Sequence, residues 1–179
     1  MSRLFGPVRQ NGYVVPDLER SVDQWLAAGV GPWWVFRHVD MRRFRYRDHG
    51  TLSDVGLPDV SIALSASGSM QMELICPHDD TPSLYREFLD RHPGGGLQHL
   101  GFFPDDYADR HRAVSEAGWQ IGHEGQIGTI EFSYWRLPGE TEHIFELADL
   151  DATQRSLFAH IDEATRSWDG STRPLRGDR

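Results

Sequence analysis

The sequence predicts an α+β fold of two tandem βαβββ modules followed by a C-terminal helix. The main observation is an internal repeat. QNGYVV…AAGV and HLGFFP…EAGW reuse one strand–helix–glycine unit: Gln10 and His99, Gly12 and Gly101, Asp17 and Asp106, and Gly29 and Gly118 are each 89 positions apart. A second observation is that strand-like segments follow each unit, rich in β-branched and aromatic residues. The third is residues 151–167, a helix whose Leu157, Phe158 and Ile161 would pack on the sheet or on a second subunit.

Residues 8–15 read as the first strand. Its Gln10–Asn11 pair is polar just ahead of Tyr13, Val14 and Val15. Asp17 is placed to cap a helix over 18–28, with Leu18, Val22, Trp25 and Leu26 on one face. Gly29 and Gly31 end it. Residues 33–46 read as one half-exposed strand and 47–58 as a loop. Strands follow at 59–67 and 69–76, joined by a turn at Ser67–Gly68. Residues 81–92 read as a short helix with Pro82 in its first turn. Pro93 and Gly94 to Gly96 form a linker. The pattern then restarts: a strand at 97–106, a helix capped by Asp106 and ended by Gly118, and strands at 119–124, 128–136 and 142–148. The chain therefore divides into 7–93, 94–150, the helix 151–168 and a flexible tail 169–179.

Composition narrows the function. A net charge of −9 argues against a nucleic-acid partner, which needs a basic footprint. No apolar run is long enough to span a bilayer. MSRLFGPVRQ lacks the apolar core of a secretion signal, and the one cysteine, Cys76, suits a reducing compartment. A cytoplasmic protein is expected. All 18 basic residues are arginine. Among them, Arg42, Arg43, Arg45 and Arg47 would either meet an anionic substrate group or form a solvated strand face. Trp33, Trp34, Phe36, Phe44, Tyr46, Phe132, Tyr134 and Trp135 would either pack the core or line an aromatic pocket.

The duplicated unit, with VVPDLERSVDQW, MELICP, GGGLQHLGFFPDDYADRHRAVSEAGW and HIFEL, resembles the vicinal oxygen chelate superfamily over residues 7–150. Its members include glyoxalase I, methylmalonyl-CoA epimerase, extradiol dioxygenases, fosfomycin-resistance transferases and bleomycin-binding proteins. The resemblance implies a U-shaped mixed sheet around a metal site, and commonly a homodimer. It also implies four metal ligands: Gln10, Glu73, His99 and Glu146. Taken singly, each has a plainer reading. Gln10 could be an edge amide, Glu73 and Glu146 solvent-facing strand residues, and His99 a hydrogen-bonded strand histidine.

Three oxygen ligands and one imidazole suit zinc, nickel, cobalt or manganese. An iron facial triad needs two histidines, so a ring-cleaving dioxygenase is disfavoured. The resemblance then implies an isomerase, epimerase or lyase acting on a small carbonyl-containing substrate. A proton α to a metal-bound carbonyl would pass to Glu146, with Glu73 as second choice of base. No arginine occurs among the four residues after Gln10 (Asn11 to Val14) or the four before His99 (Gly95 to Gln98), which argues against a glutathione substrate. The alternative is a metal-free binding protein of the bleomycin-resistance type, holding an aromatic ligand. A transferase or hydrolase that activates a thiol or water is a third reading. His123 and His143 are weaker candidates for the cavity.

Overall fold

The computed structural model describes residues 2–170 and 175–176. Strand β1 (Gln10–Val14) leads into helix α1 (Leu18–Ala27). The Asp17 carboxylate accepts the Arg20 amide at 3.0 Å, and Gly29 leaves the helix at φ +82°. Then come β2 (Trp34–Phe36), β3 (Met41–Asp48), β4 (Thr51–Asp54), β5 (Val60–Ser67) and β6 (Met70–Pro77). Helix α2 (Leu84–Arg91) precedes β7 (Gly96–Phe102), α3 (Tyr107–Glu116), β8 (Gln120–Ile127), β9 (Ile130–Arg136) and β10 (Ile144–Asp149). Helix α4 (Ala152–Arg166) and the two-residue β11 (Leu175–Arg176) complete the chain.

The eleven strands form one sheet in the order β11-β2-β5-β6-β1-β7-β10-β9-β8-β3-β4. Its centre is the antiparallel pair β1–β7, flanked by β6 parallel to β1 and β10 parallel to β7. The order β2-β5-β6-β1 on one side is mirrored by β8-β9-β10-β7 on the other, as expected of a duplicated module. The sheet curls into the predicted U. Helix α1 seals one outer flank, where Leu18 and Val22 meet Trp33, Ala63 and Leu74. On the α3 flank, Val114 joins Phe5, Phe102, Trp135 and Leu147. Trp33 and Trp135 are almost wholly buried, and truncating either to alanine would cost about 3–5 kcal/mol. Helix α4 lies on the sheet: Ile161 packs with Trp34, Leu64 and Ala66.

Four local expectations need correction. Residues 33–46 are two strands, because His38 takes φ +47° and breaks the extended run. The expected loop at 47–58 contains β4, which pairs with β3 as a hairpin. Its turn residues His49 and Gly50 both have positive φ, as a type I′ turn requires. His-Gly is not the Asn-Gly or Asp-Gly signal that marks such a turn in a sequence. Pro82 lies outside α2, which Ser83 caps by accepting the Arg86 amide at 3.2 Å. Asp106 precedes α3 but makes no side-chain cap; its carboxylate accepts from Arg110 Nε at 3.1 Å instead. The expectation of a flexible tail falls mostly on 171–174 and 177–179, outside the described residues. No helix among the described residues is long and apolar enough to cross a membrane.

Candidate metal centre

Strand register brings the four predicted residues together. One cross-strand row runs Glu73, Gly12, His99; the next runs Gln10, Gly101, Glu146. Residues two apart on a strand share a face, so all four side chains fall on one side of the sheet. Each row has a glycine between its polar residues, and each glycine is occupied space. A Cβ on Gly12 would lie 1.9 Å from His99 Cε1, and one on Gly101 would lie 2.6 Å from Gln10 Oε1. Gly12 and Gly101 therefore accommodate, reciprocally, the polar side chain of the other half.

The four residues are between 2% and 9% exposed. His99 Nε2 is 3.4 Å from Glu146 Oε2 and 3.5 Å from Glu73 Oε2. Its Nδ1 lies 2.9 Å from Gln98 Oε1. The Gln98 amide donates from Nε2 to the Leu84 carbonyl, so Oε1 is an acceptor and Nδ1 carries the hydrogen. That leaves Nε2 facing the two carboxylates, free to carry a proton or, once deprotonated, to ligate a cation. Gln10 Nε2 donates to Gln71 Oε1 at 2.6 Å, which turns Gln10 Oε1 inward. Gln10 Oε1 is buried with no donor, and Glu73 Oε2, also buried, has only the long 3.5 Å approach of His99 Nε2.

Buried acceptors without donors are costly. Burial pulls the His99 imidazole down, but the hydrogen bonds and charges of Glu146 and Glu73 outweigh it and raise the pKa to about 9. Burial, reinforced by Glu146, raises Glu73 against the opposing pull of His99. A divalent cation would satisfy the same oxygens. Ligand atoms of Glu73, His99 and Glu146 all lie within 4.8 Å of one another. Bonds of about 2.1 Å in a tetrahedral site put ligand atoms about 3.4 Å apart, matching the carboxylate–imidazole separations here. The donor set therefore fits a divalent metal.

Several neighbours were not legible in the sequence. Gln98 and Gln71 orient His99 and Gln10. Tyr134 Oη lies 3.5 Å from His99 Nε2 and accepts from Tyr85 Oη at 3.3 Å. The repeat offers no signal for these, because none has a matching partner in the other module. His123 is wholly buried behind the site, where Nδ1 accepts the Leu84 amide at 3.2 Å and the Tyr85 and Tyr134 rings enclose it. Burial holds it well below the usual histidine range. His143 is exposed, pairs with Glu140 at 3.0 Å and does not belong to the site.

A cavity of about 640 Å³ opens over Gln10, Glu73 and Glu146. Of the predicted aromatic stripe, Phe36 and Phe132 line it. Trp33, Trp34, Phe44, Tyr134 and Trp135 are buried in the hydrophobic core. Tyr46 instead donates to Glu87 Oε2 at 3.1 Å. The arginine cluster lies elsewhere: Arg42 pairs with Asp40, Arg43 with Glu131 and Arg45 with Glu124, and Arg47 donates to the carbonyls of Ile121 and Gly50.

Residues 9–134 match the family model of the glyoxalase/bleomycin resistance protein/dioxygenase superfamily. The chain belongs to that superfamily. No curated protein sequence matches it. Among solved structures, methylmalonyl-CoA epimerase from Mycobacterium tuberculosis is similar at 16% identity and TM-score 0.56, over 87% of this chain and 95% of that one. A hypothetical protein from Bacillus halodurans C-125 is similar at 14% identity and TM-score 0.56, over 81% and 94%. A methylmalonyl-CoA epimerase bound to methylmalonyl-CoA and ammonium is similar at 18% identity and TM-score 0.53, over 81% and 94%. At such identities these superfamily structures speak to the fold alone.

Proposed function

We propose that this superfamily member is a metal-dependent isomerase, epimerase or lyase that removes a proton α to a carbonyl. Gln10, Glu73, His99 and Glu146 would hold the ion, with zinc, nickel, cobalt and manganese as the candidates. One observation carries the reading: Glu73 and Glu146 converge on His99 Nε2 at 3.5 and 3.4 Å, with the unbonded Gln10 Oε1 on the same face of the sheet, beneath a cavity. When bound, the ion supplies a Lewis acid that makes the α-proton of a carbonyl substrate more acidic.

The protein's own residues do the rest. Gln98 holds the His99 tautomer and Gln71 holds the Gln10 amide. Burial raises the Glu73 carboxyl, and its Oε2 has only the long approach of His99 Nε2, so a cation would relieve it most. Glu146, which lines the cavity together with Glu73, is the first choice of base for the proton. Glu73 is the second choice. Residence in the cytoplasm and a homodimeric assembly belong to the same proposal.

The test has two parts. Plasma mass spectrometry of protein purified without added metal should find about one divalent ion per chain, lost in His99→Ala and Glu146→Ala. Wild type should exchange the α-proton of carbonyl compounds in heavy water, read by NMR, and Glu146→Gln should not. Absence of metal after incubation with all four ions would end this reading. The apolar cavity walls would then favour the second one, a metal-free ligand-binding protein.

A further inference from the structure

We infer that the site serves an uncharged carbonyl compound with a bulky branched or aromatic hydrocarbon body, rather than a nucleotide thioester or a peptide thiol adduct. The inference rests on the proposed function and names its substrate class. Three elements that are remote in the chain build the cavity walls: Ile62 and Leu64 from β5, Ile130 and Phe132 from β9, and Leu157 and Phe158 from α4. All six are apolar. Helix α4 packs on β5, so its Leu157 and Phe158 close the side of the cavity that the two modules leave open.

The polar groups sit at two levels. Gln10, Glu73 and Glu146 lie at the floor, where the reacting carbonyl would be. Arg37, His38 and Asp40 line the cavity from the segment between β2 and β3. Each of these three is already engaged: Arg37 with Glu19, His38 with Asp59 at 2.7 Å, and Asp40 with Arg42 at 2.8 Å. Among the described residues, Arg37 is the one arginine lining the cavity. A phosphate or carboxylate group would have to share Arg37 with Glu19, and the chain's net charge of −9 opposes it further. The volume, about 640 Å³, lies within the usual range for small-molecule pockets. At water's share of about 30 Å³ per molecule it holds about 20 non-hydrogen atoms.

The probes are acetohydroxamic acid, 2-naphthohydroxamic acid, 2-naphthol and coenzyme A, titrated calorimetrically into zinc-loaded and metal-free protein. The naphthyl body should tighten hydroxamate binding about 100-fold over the acetyl compound, from burial of its hydrocarbon surface. 2-Naphthol should bind with or without zinc, and coenzyme A should not bind. Leu157→Asp and, independently, Ile130→Asp should erase the naphthyl advantage, bringing the two hydroxamates to about equal affinity. Melting curves identify a variant that has unfolded, and the other then carries the test. Equal affinity for the two hydroxamates, or coenzyme A binding tighter than 2-naphthol, would overturn the inference. If 2-naphthol binds while zinc helps neither hydroxamate, the apolar specificity stands and the metal reading fails.

Discussion

Replacing Gly12 by alanine tests the architecture of the site without touching any candidate ligand. The added Cβ would sit 1.9, 2.1 and 2.5 Å from three atoms of the His99 ring, where ordinary contact begins at 3.4 Å. The ring must therefore move by about 1.5 Å. It has little room: His99 is 2% exposed, bonded at Nδ1 to Gln98 and packed edge-on against Tyr134 at 4.7 Å. Overpacking of this kind costs about 1–3 kcal/mol. At about 2 kcal/mol the melting temperature should fall by about 4–8 °C in a chain of this length. Metal affinity should fall by at least about 10-fold, because His99 loses its support from Gln98. Gly101→Ala should be milder, since its contacts, Gln10 Oε1 at 2.6 Å and Gln10 Cβ at 2.9 Å, are longer, though still overpacked. Gly94→Ala meets nothing within 4 Å and serves as the neutral control. The assay pairs differential scanning fluorimetry with zinc titration against a chromogenic competitor. If Gly12→Ala melts and binds zinc like the Gly94 control, the reciprocal-glycine argument is wrong.

Other outcomes follow from the same contacts. In metal-free protein, His99 is protonated when folded up to about pH 9, whereas the unfolded imidazole loses its proton near 6.5. Stability should therefore fall as pH rises from 6.5 to 9, by a few kcal/mol at most, and the raised Glu73 adds a loss of the same sign. Chemical denaturation from pH 6 to 9 reads this. Saturating zinc should flatten the slope, and zinc binding at pH 7.5 should release about one proton, measurable in buffers of different ionisation enthalpy. Arg136→Ala should destabilise by about 1–2 kcal/mol in urea melts, because half-buried Glu87 loses a 2.8 Å ion pair and keeps only Arg91 and Tyr46. Burial works against the Glu87 charge, but Arg136 and Arg91 hold the carboxyl below its usual 4.5. The stabilisation is thus present above pH 4.5 and lost as the pH falls further, and this loss should be smaller in Arg136→Ala.

Most of the order of strands and helices could be read in the residues because it rests on local physics; the break between β2 and β3 and the strand β4 could not. Asp17 caps its helix through its own carboxylate, and Gly29 and Gly118 leave theirs at positive φ, as any chain with those residues would. The repeat at 89 positions marks Gln10 and His99 as equivalents and Gly12 and Gly101 as a pair. What a repeat does not show is which strands become neighbours. The β3–β4 hairpin belongs to the first half of the chain, yet β3 pairs with β8 at the far edge of the sheet. Two of its arginines, Arg43 and Arg45, solvated or substrate-facing on composition alone, therefore meet Glu131 and Glu124 of the second half. Trp33 and Phe36 are close in sequence and similar in character, but one is buried under α1 and the other lines the cavity. Alternation along a strand separates faces; it does not say which face another element covers. The convergence of Gln10, Glu73, His99 and Glu146 is likewise a matter of register across four strands. Sequence determines what each segment prefers within a few residues, and only tertiary packing, which sums contacts across the whole chain, decides which side chains meet and which atoms are left without a partner.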